Sequence, residues 1–96
     1  MVEANDKPLL FRKSKLDIMA HILENCNENT TKMRLMHKCN LNFSQLNLFG
    51  TCLVEAGFLK VSKRTGGIET FETTDKGKEF LRDYERTKRI LDRAEG

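Results

Sequence analysis

The stretch that decides the fold is TTKMRLMHKCNLNFSQLNLFGTCLVEAG, residues 30–57. It opens with Thr30 and Thr31, either of which can act as a helix N-cap, and apolar side chains follow with helical spacing at Met33, Leu35, Met36 and Cys39. NLN is a polar break around one apolar residue, and FSQLNLFGTCLVEAG then restarts a helix, which Gly57 ends in the left-handed conformation that a C-cap favours. The stretch predicts two short helices joined by a turn of three residues.

The segments on either side add one helix before this stretch and a hairpin and a helix after it. SKLDIMAHILENC, residues 14–26, has a helical stripe of apolar residues, and Ser14 with Asp17 resembles a capping box. FLKVSKR and IETFETT are rich in β-branched and aromatic residues, and they are joined by TGG, whose glycines supply the positive φ of a tight turn. Thr74 then opens DKGKEFLRDYERTKRILDRAE, a helix about 30 Å long.

The order of these elements is more specific than any one of them. A helix, a helix-turn-helix and a hairpin in succession are typical of a winged helix-turn-helix domain, in which the hairpin is the wing. The predicted fold class is therefore mainly α with a small β-hairpin (α+β), extended by a long C-terminal helix. We predict a flexible N-terminal arm at residues 1–12, the winged domain at 13–75 and the C-terminal helix at 76–96. A chain of 96 residues supports one hydrophobic core and hence one domain.

The charge is concentrated in the middle of the chain. The formal net charge of +3 is too small to demonstrate a nucleic-acid partner. Residues 12–64, however, carry nine basic and four acidic residues, whereas the segments before and after each carry one more acidic than basic residue. This distribution favours an anionic partner for the predicted winged domain.

The sequence lacks the patterns of several other protein classes. Three cysteines, an odd number without a secretory signal, indicate reduced thiols and a cytoplasmic location. Their spacing to each other and to the two histidines fits no metal site, so we predict no metal and no cofactor; the residues concerned are His21, His37, Cys26, Cys39 and Cys52. No apolar run approaches the roughly 20 residues that span a bilayer, so no membrane partner is expected. No glycine-rich phosphate loop or catalytic constellation is present, and we predict that the protein is not an enzyme.

Four phrases resemble a family of small archaeal winged-helix DNA-binding proteins: KSKLDIMAHILE, TKMRLMHKCNLNFSQL, LVEAGFLK and TTDKGKEFL. The resemblance runs from about Lys13 to the end of the chain. It implies a dimeric DNA-binding protein, either transcriptional or chromatin-associated, whose C-terminal helix pairs with that of a second copy as an antiparallel coiled coil. One departure is Phe43-Ser44-Gln45, where members of the family often carry a basic residue.

The predicted recognition helix, about residues 43–56, has no charged side chain before Glu55. On a helix of about 100° per residue, one side gathers Leu46, Phe49, Leu53 and Ala56, with Phe43 and Cys52 at its margin, and this side is predicted to be core. Short uncharged groups remain on the other side as candidates for base contacts in the major groove of DNA: Asn42, Ser44, Gln45, Asn47, Leu48 and Thr51.

This uncharged side predicts a particular base preference. Asparagine and glutamine can bond bidentately to adenine, and leucine can touch the methyl group of thymine, so we expect A/T-rich sites or weak base readout. Gly50 costs about 1 kcal/mol relative to alanine, which indicates close packing against another helix or no special role. In an alternative interpretation, protein covers the helix on both sides, at a cost of roughly 1–3 kcal/mol for each polar group left unpaired.

Basic residues flank the recognition helix on both neighbouring elements and are candidates for phosphate contacts: Lys32, Arg34 and Lys38 on the preceding helix, and Lys60, Lys63 and Arg64 on the hairpin. The predicted partner is therefore double-stranded DNA. Winged helices also mediate contacts between proteins, and an uncharged helix face would suit a protein partner. A protein-interaction module without DNA binding is the alternative function.

The last helix carries apolar residues beyond the length of the predicted domain. Because a single helical arm is marginal in water, we predict that it packs against the same helix of a second copy, through Tyr84, Thr87, Ile90, Leu91 and Ala94. The predicted assembly is a homodimer. In the alternative, the helix folds back on its own domain.

Overall fold

The structure is a computed structural model and describes residues 14–63 and 66–95. The elements are, in chain order, α1 (Lys15–Glu24), β1 (Thr30–Thr31), α2 (Lys32–Cys39), α3 (Phe43–Glu55), β2 (Leu59–Lys63), β3 (Glu69–Thr73) and α4 (Asp75–Glu95). This order confirms the predicted fold class, a winged helix-turn-helix with a long C-terminal helix. The predicted N-terminal arm and Arg64 lie outside the described residues. Within the described ranges, none of the helices combines the length and apolar character needed to cross a membrane.

The predicted helix ends are formed by local hydrogen bonds. The Ser14 hydroxyl accepts from the Asp17 N–H, and the Asp17 carboxylate accepts from the Ser14 N–H, both at 3.1 Å, which confirms the capping box. Thr31 is the N-cap of α2, because its hydroxyl accepts from the Arg34 N–H at 3.3 Å. Gly57 follows α3 with φ of +84°, as predicted from its place after the last apolar turn.

The sheet has three antiparallel strands in the order β1-β3-β2, one more than the predicted hairpin. β2 and β3 form the wing, with Leu59 opposite Thr73 and Lys63 opposite Glu69. The additional strand, β1, has only two residues and pairs with the other edge of β3. So short a strand has no alternating pattern in the sequence, and only its pairing with a distant segment reveals it.

The core lies where α1, α2 and α3 meet β3 and the first half of α4. Its buried apolar side chains come from every helix and from both long strands: Ala20, Ile22, Leu23, Cys26, Leu35, Cys39, Leu46, Phe49, Leu53, Leu59, Phe71 and Leu81. Met33, which the sequence pattern offered for burial, is 78% exposed because it lies on the outer side of α2. Three helices thus pack around a small sheet and leave α3 accessible along one side.

The first half of α4 is docked on this core. The Thr74 hydroxyl donates to the Gly57 carbonyl at 2.6 Å and accepts from the Gly77 N–H at 3.1 Å, so it joins the end of α3 to the start of α4. The ring of Phe80 stacks on Phe58 at 5.0 Å between centroids. The start of α4 is therefore fixed relative to α3 and the wing.

Tyr84 ties α4 to α1. Its hydroxyl donates to the Asp17 carboxylate, and the Lys88 ammonium lies 3.9 Å from the same carboxylate oxygen. The hydrogen bond from Tyr84 is the main reason that the pKa of Asp17 lies below its usual value. Burial, and then the hydrogen bond to Asp17, raise the pKa of Tyr84. One carboxylate therefore caps α1 and anchors α4.

Tyr84→Phe is expected to lower the free energy of unfolding at pH 7 by about 1–2 kcal/mol, because a hydrogen bond to a charged group is lost. Since folding lowers the pKa of Asp17, this contribution is fully present above the unfolded pKa of about 4 and is lost as the pH falls through the folded value. Urea unfolding at fixed protein concentration between pH 7 and pH 3 should show the difference between the two proteins shrinking towards acid. Equal stabilities at pH 7 would contradict the role assigned to this hydrogen bond.

Candidate nucleic-acid interface

The outer side of α3 is open to solvent. Leu46, Phe49 and Leu53 are buried as predicted, at 1%, 8% and 1% exposure. On the opposite side Ser44, Gln45, Leu48 and Thr51 are exposed, Asn47 is half-buried, and Asn42 is exposed at the N-terminus of the helix. The predicted base-contacting residues therefore share one accessible surface, which we call the outer face of α3. Protein does not cover α3 on both sides.

Three residues that were predicted for the core side of α3 or its margin are exposed instead. Ala56 follows the last residue of α3 and forms its C-cap, so it lies beyond the buried side. Phe43 is the first residue of α3 and is 56% exposed, and Cys52 is exposed as well. Glu55, also exposed, lies one turn after Thr51 on the outer face and adds a carboxylate there. The outer face is thus uncharged over its first turns and acidic only at its C-terminal end.

Asn42 and Gln45 form a capping box at the start of α3. The Asn42 side-chain oxygen accepts from the Gln45 N–H at 2.8 Å, and the Gln45 side-chain oxygen accepts from the Asn42 N–H at 3.0 Å. The spacing Asn-x-x-Gln is a known sequence signature of such a box, and it was available in the sequence. Both oxygens therefore accept hydrogen bonds within the protein, and the sequence prediction of base contacts assumed that they were free.

Lys32 joins α2 to α3. Its ammonium donates to the side-chain oxygen of Asn47 at 3.0 Å and lies 5.1 Å from the centre of the Phe43 ring. Lys32 itself is half-buried between the two helices. Lys32 therefore links the two helices of the helix-turn-helix. The predicted contact with a phosphate assumed that its ammonium group was exposed to solvent. The Phe43 ring makes a cation–π contact with this lysine outside the core.

Arg34 and Lys38 form the accessible basic part of α2. They are four residues apart and therefore on the same side of the helix. Both are exposed, and in the described part of the chain neither has an acidic side chain within 4 Å. They border a groove between α2 and the segment that follows α1, together with Glu24 and Glu28. On α2 they point away from the side that carries Lys32 and faces α3.

The wing carries acidic residues opposite its lysines. The Lys60 ammonium lies 3.6 Å from the Glu72 carboxylate, and Lys63 is paired in register with Glu69 at the far end of the hairpin. Both lysines are exposed, so a ligand phosphate can replace the weak surface contact between Lys60 and Glu72. The count of charges along the chain overestimated the positive charge of the wing, because β3 contributes carboxylates beside the cations of β2.

The predicted dimerisation residues fall into two groups. Tyr84 is half-buried against its own domain through Asp17 and the Phe80 ring, 6.2 Å away. The other four lie further along α4 and are exposed: Thr87, Ile90, Leu91 and Ala94. Ile90 and Leu91 are 58% and 57% exposed. The second half of α4 does not fold back onto the domain.

The described cysteines and histidines are not grouped as metal ligands. Among residues 14–63 and 66–95, no group of three or more His, Cys, Asp or Glu side chains is arranged to hold a metal ion. Burial, reinforced by Cys39, raises the pKa of the Cys26 thiol to about 12, so this thiol stays protonated at neutral pH. Cys26 is a small buried core residue.

Comparisons with known proteins agree with this architecture. A family model described as winged helix-turn-helix matches residues 12–92. The crystal structure of Sso10a-2, a DNA-binding protein from Sulfolobus solfataricus, is similar with a TM-score of 0.77 at 23% sequence identity, and the match covers 84% of each chain. The comparison with curated proteins gives no match. The family match spans most of the chain and confirms the family-level resemblance, so the protein belongs to the winged helix-turn-helix family.

Proposed function

We propose that this protein binds double-stranded DNA as a homodimer, in a transcriptional or chromatin-associated role. In this proposal α3 enters the major groove, and the hairpin of β2 and β3 lies along the phosphate backbone as a wing. The observation that carries the proposal is the outer face of α3, which is exposed and uncharged as far as Thr51. The base contacts assigned to this face are Asn42, Ser44, Gln45, Asn47, Leu48 and Thr51.

The outer face of α3 has a composition that suits contact with the major groove of DNA better than exposure to solvent. An exposed helix surface in a protein with 32% charged residues would ordinarily carry lysine and glutamate. Short hydroxyl and amide groups approach base edges without the desolvation cost of an unpaired charge. A major groove about 12 Å wide accepts one α-helix. The DNA-binding description of Sso10a-2, which has the same fold, supports this use of α3.

Four cations per subunit are assigned to phosphates. Arg34 and Lys38 are exposed on α2, and Lys63 ends β2 and precedes Arg64 in the sequence. Lys60 joins them only by leaving Glu72, and Lys32 remains bound to Asn47. Four phosphate contacts per subunit are few, and two subunits on one duplex would double their number.

The homodimer is supported by the spacing along α4. Gly77, Phe80 and Tyr84 face the domain, and the same alternation of three and four residues continues through Thr87, Leu91 and Ala94. Such a repeat buries its apolar side chains against a second helix. Because residues 85–94 are exposed in a single chain, the second α4 of a dimer is the partner that we assign to them.

The salt dependence of DNA affinity tests the proposal. With about four phosphate contacts per subunit, the dimer should give a slope of log affinity against log salt near −7. Fluorescence anisotropy with a mixed-sequence duplex would measure it. Replacing Arg34 and Lys38 by alanine should reduce the slope by about half, whereas replacing Lys78 and Arg82 on α4 removes the same charge and should change it little. No binding at low salt would refute DNA binding.

A protein-interaction module remains the second candidate function. The observation that favours it is the exposure of large apolar side chains around the helix-turn-helix, since Met33 is 78%, Leu48 62% and Phe43 56% exposed. Such a module would give little anisotropy change with any duplex. Any weak binding would have the same affinity after Arg34 and Lys38 are replaced by alanine.

A further inference from the structure

We infer that α3 recognises hydrogen-bond acceptors on purines, N7 of both purines and O6 of guanine, through the NH2 groups of amides whose oxygens are directed at donors within the protein. The inference rests on the proposed DNA binding and assigns the chemical group that α3 contacts. It concerns the three amide side chains of the outer face, Asn42, Gln45 and Asn47. Their oxygens are already used inside the protein.

The orientation of each amide follows from its partner. The side chains of Asn42 and Gln45 meet backbone N–H groups, and that of Asn47 meets a lysine ammonium, at 2.8, 3.0 and 3.0 Å. All three partners are donors without an acceptor lone pair. The atom facing each partner must therefore be the amide oxygen, and the NH2 group is the free end of the side chain.

A bidentate contact with adenine would need both ends of one amide. Adenine presents the N7 acceptor beside the N6 donor, so the amide must donate and accept at the same base edge. For Asn42 or Gln45, turning the oxygen to adenine would release a helix N-terminal N–H group from its cap. For Asn47, it would separate the oxygen from Lys32, which is half-buried and held by the Phe43 ring.

Guanine fits the free ends better. Its major-groove edge offers two neighbouring acceptors, N7 and O6, and no donor, whereas adenine sets its N6 donor against the NH2 group. The hydroxyls of Ser44 and Thr51 can donate as well as accept, so they favour neither guanine nor adenine. The geometry therefore points away from the A/T preference expected from residue types alone and towards guanine at the contacted positions.

Base analogues test the inference with the unaltered protein. In 7-deazaguanine the N7 acceptor is lost, while base pairing is kept; inosine lacks only the minor-groove amino group of guanine and is the matched control. In anisotropy titrations with one guanine-containing duplex, the 7-deazaguanine version should bind about three- to tenfold more weakly, the effect of about one hydrogen bond. The inosine version should bind like the parent duplex.

Two variants that each lose one lysine charge distinguish the orientation of the Asn47 amide from phosphate binding. Lys32→Met releases the Asn47 oxygen, so the ratio of affinities for guanine-rich and adenine-rich duplexes should fall. Lys38→Met removes an exposed cation that has no contact with Asn47 and should weaken both complexes equally, leaving the ratio unchanged. Circular dichroism of each variant verifies that the helices remain folded.

The outcomes distinguish this inference from the proposed function. Equal binding of parent and 7-deazaguanine duplexes, or tighter binding of adenine-rich duplexes by the unaltered protein, would overturn the assignment of purine contacts to the amide NH2 groups while DNA binding stood. Absence of binding to every duplex at low salt would overturn both. An unchanged affinity ratio in a folded Lys32→Met variant would remove Lys32 as a positioning residue.

Discussion

Gly77→Ala is expected to lower the free energy of unfolding by about 2 kcal/mol, although alanine is the better helix former. A Cβ at this position would overlap the carbonyl oxygen of Phe58 and would lie 2.7 Å from Cγ2 of Thr73. The Phe58 carbonyl cannot move freely, because it accepts from the Thr74 N–H at 3.0 Å. The start of α4 would have to shift, and the docking of Phe80 and Leu81 on the core would be disturbed.

Gly50→Ala is the matched control, since it makes the same change in another helix. A Cβ on Gly50 meets no atom within 4 Å, so this glycine does not mark the close helix packing that was one expectation from the sequence. Alanine here should raise the free energy of unfolding by up to about 1 kcal/mol through helix propensity alone. Urea unfolding of both variants at equal concentration should give shifts of opposite sign. A stabilised Gly77→Ala variant would contradict the described contact between α4 and the segment after α3.

Leu91→Glu is expected to convert the proposed dimer into a monomer. Leu91 is 57% exposed in the single chain, and a dimer would bury it twice, once for each copy. Losing two buried leucines raises the dissociation constant by about 100-fold or more, and each glutamate would place a charge in an apolar contact. Sedimentation equilibrium across a range of concentrations should give the monomer mass.

Arg89→Glu is the control for this experiment. It places glutamate two residues away, on the opposite side of α4, so the mass of the assembly should stay that of the unaltered protein. The monomeric Leu91→Glu variant should also lose about half of the salt slope of DNA binding, because each duplex would contact one subunit. An unaltered protein that is itself monomeric would refute the pairing of α4 with a second copy.

Much of the fold was predictable because its signals are local. The capping box of Ser14 and Asp17, the left-handed Gly57 and the glycine turn of the hairpin each depend on residues within a few positions of one another. The buried side of α3 followed from helical spacing alone. Errors occurred at the ends of elements, as with Phe43 and Ala56, where the helical period stops and the neighbouring element decides exposure.

For the candidate site, the residue types indicated an uncharged outer face of α3, and the structure shows this face exposed. They could not show that Lys32 binds Asn47 or that Glu72 lies beside Lys60, because these partners are 15 and 12 residues apart in the sequence.

By itself, the sequence determined the order of helices and strands, the caps and the side of each helix that is buried, since apolar periodicity and capping act over one or two turns. Tertiary structure alone decided the third strand, the link from Tyr84 to Asp17 and the atoms that α3 leaves free for a ligand. The physical reason is that hydrogen-bonding capacity is finite: an oxygen already bonded inside the fold is poorly placed to serve a partner, and only the packed chain reveals which oxygens these are.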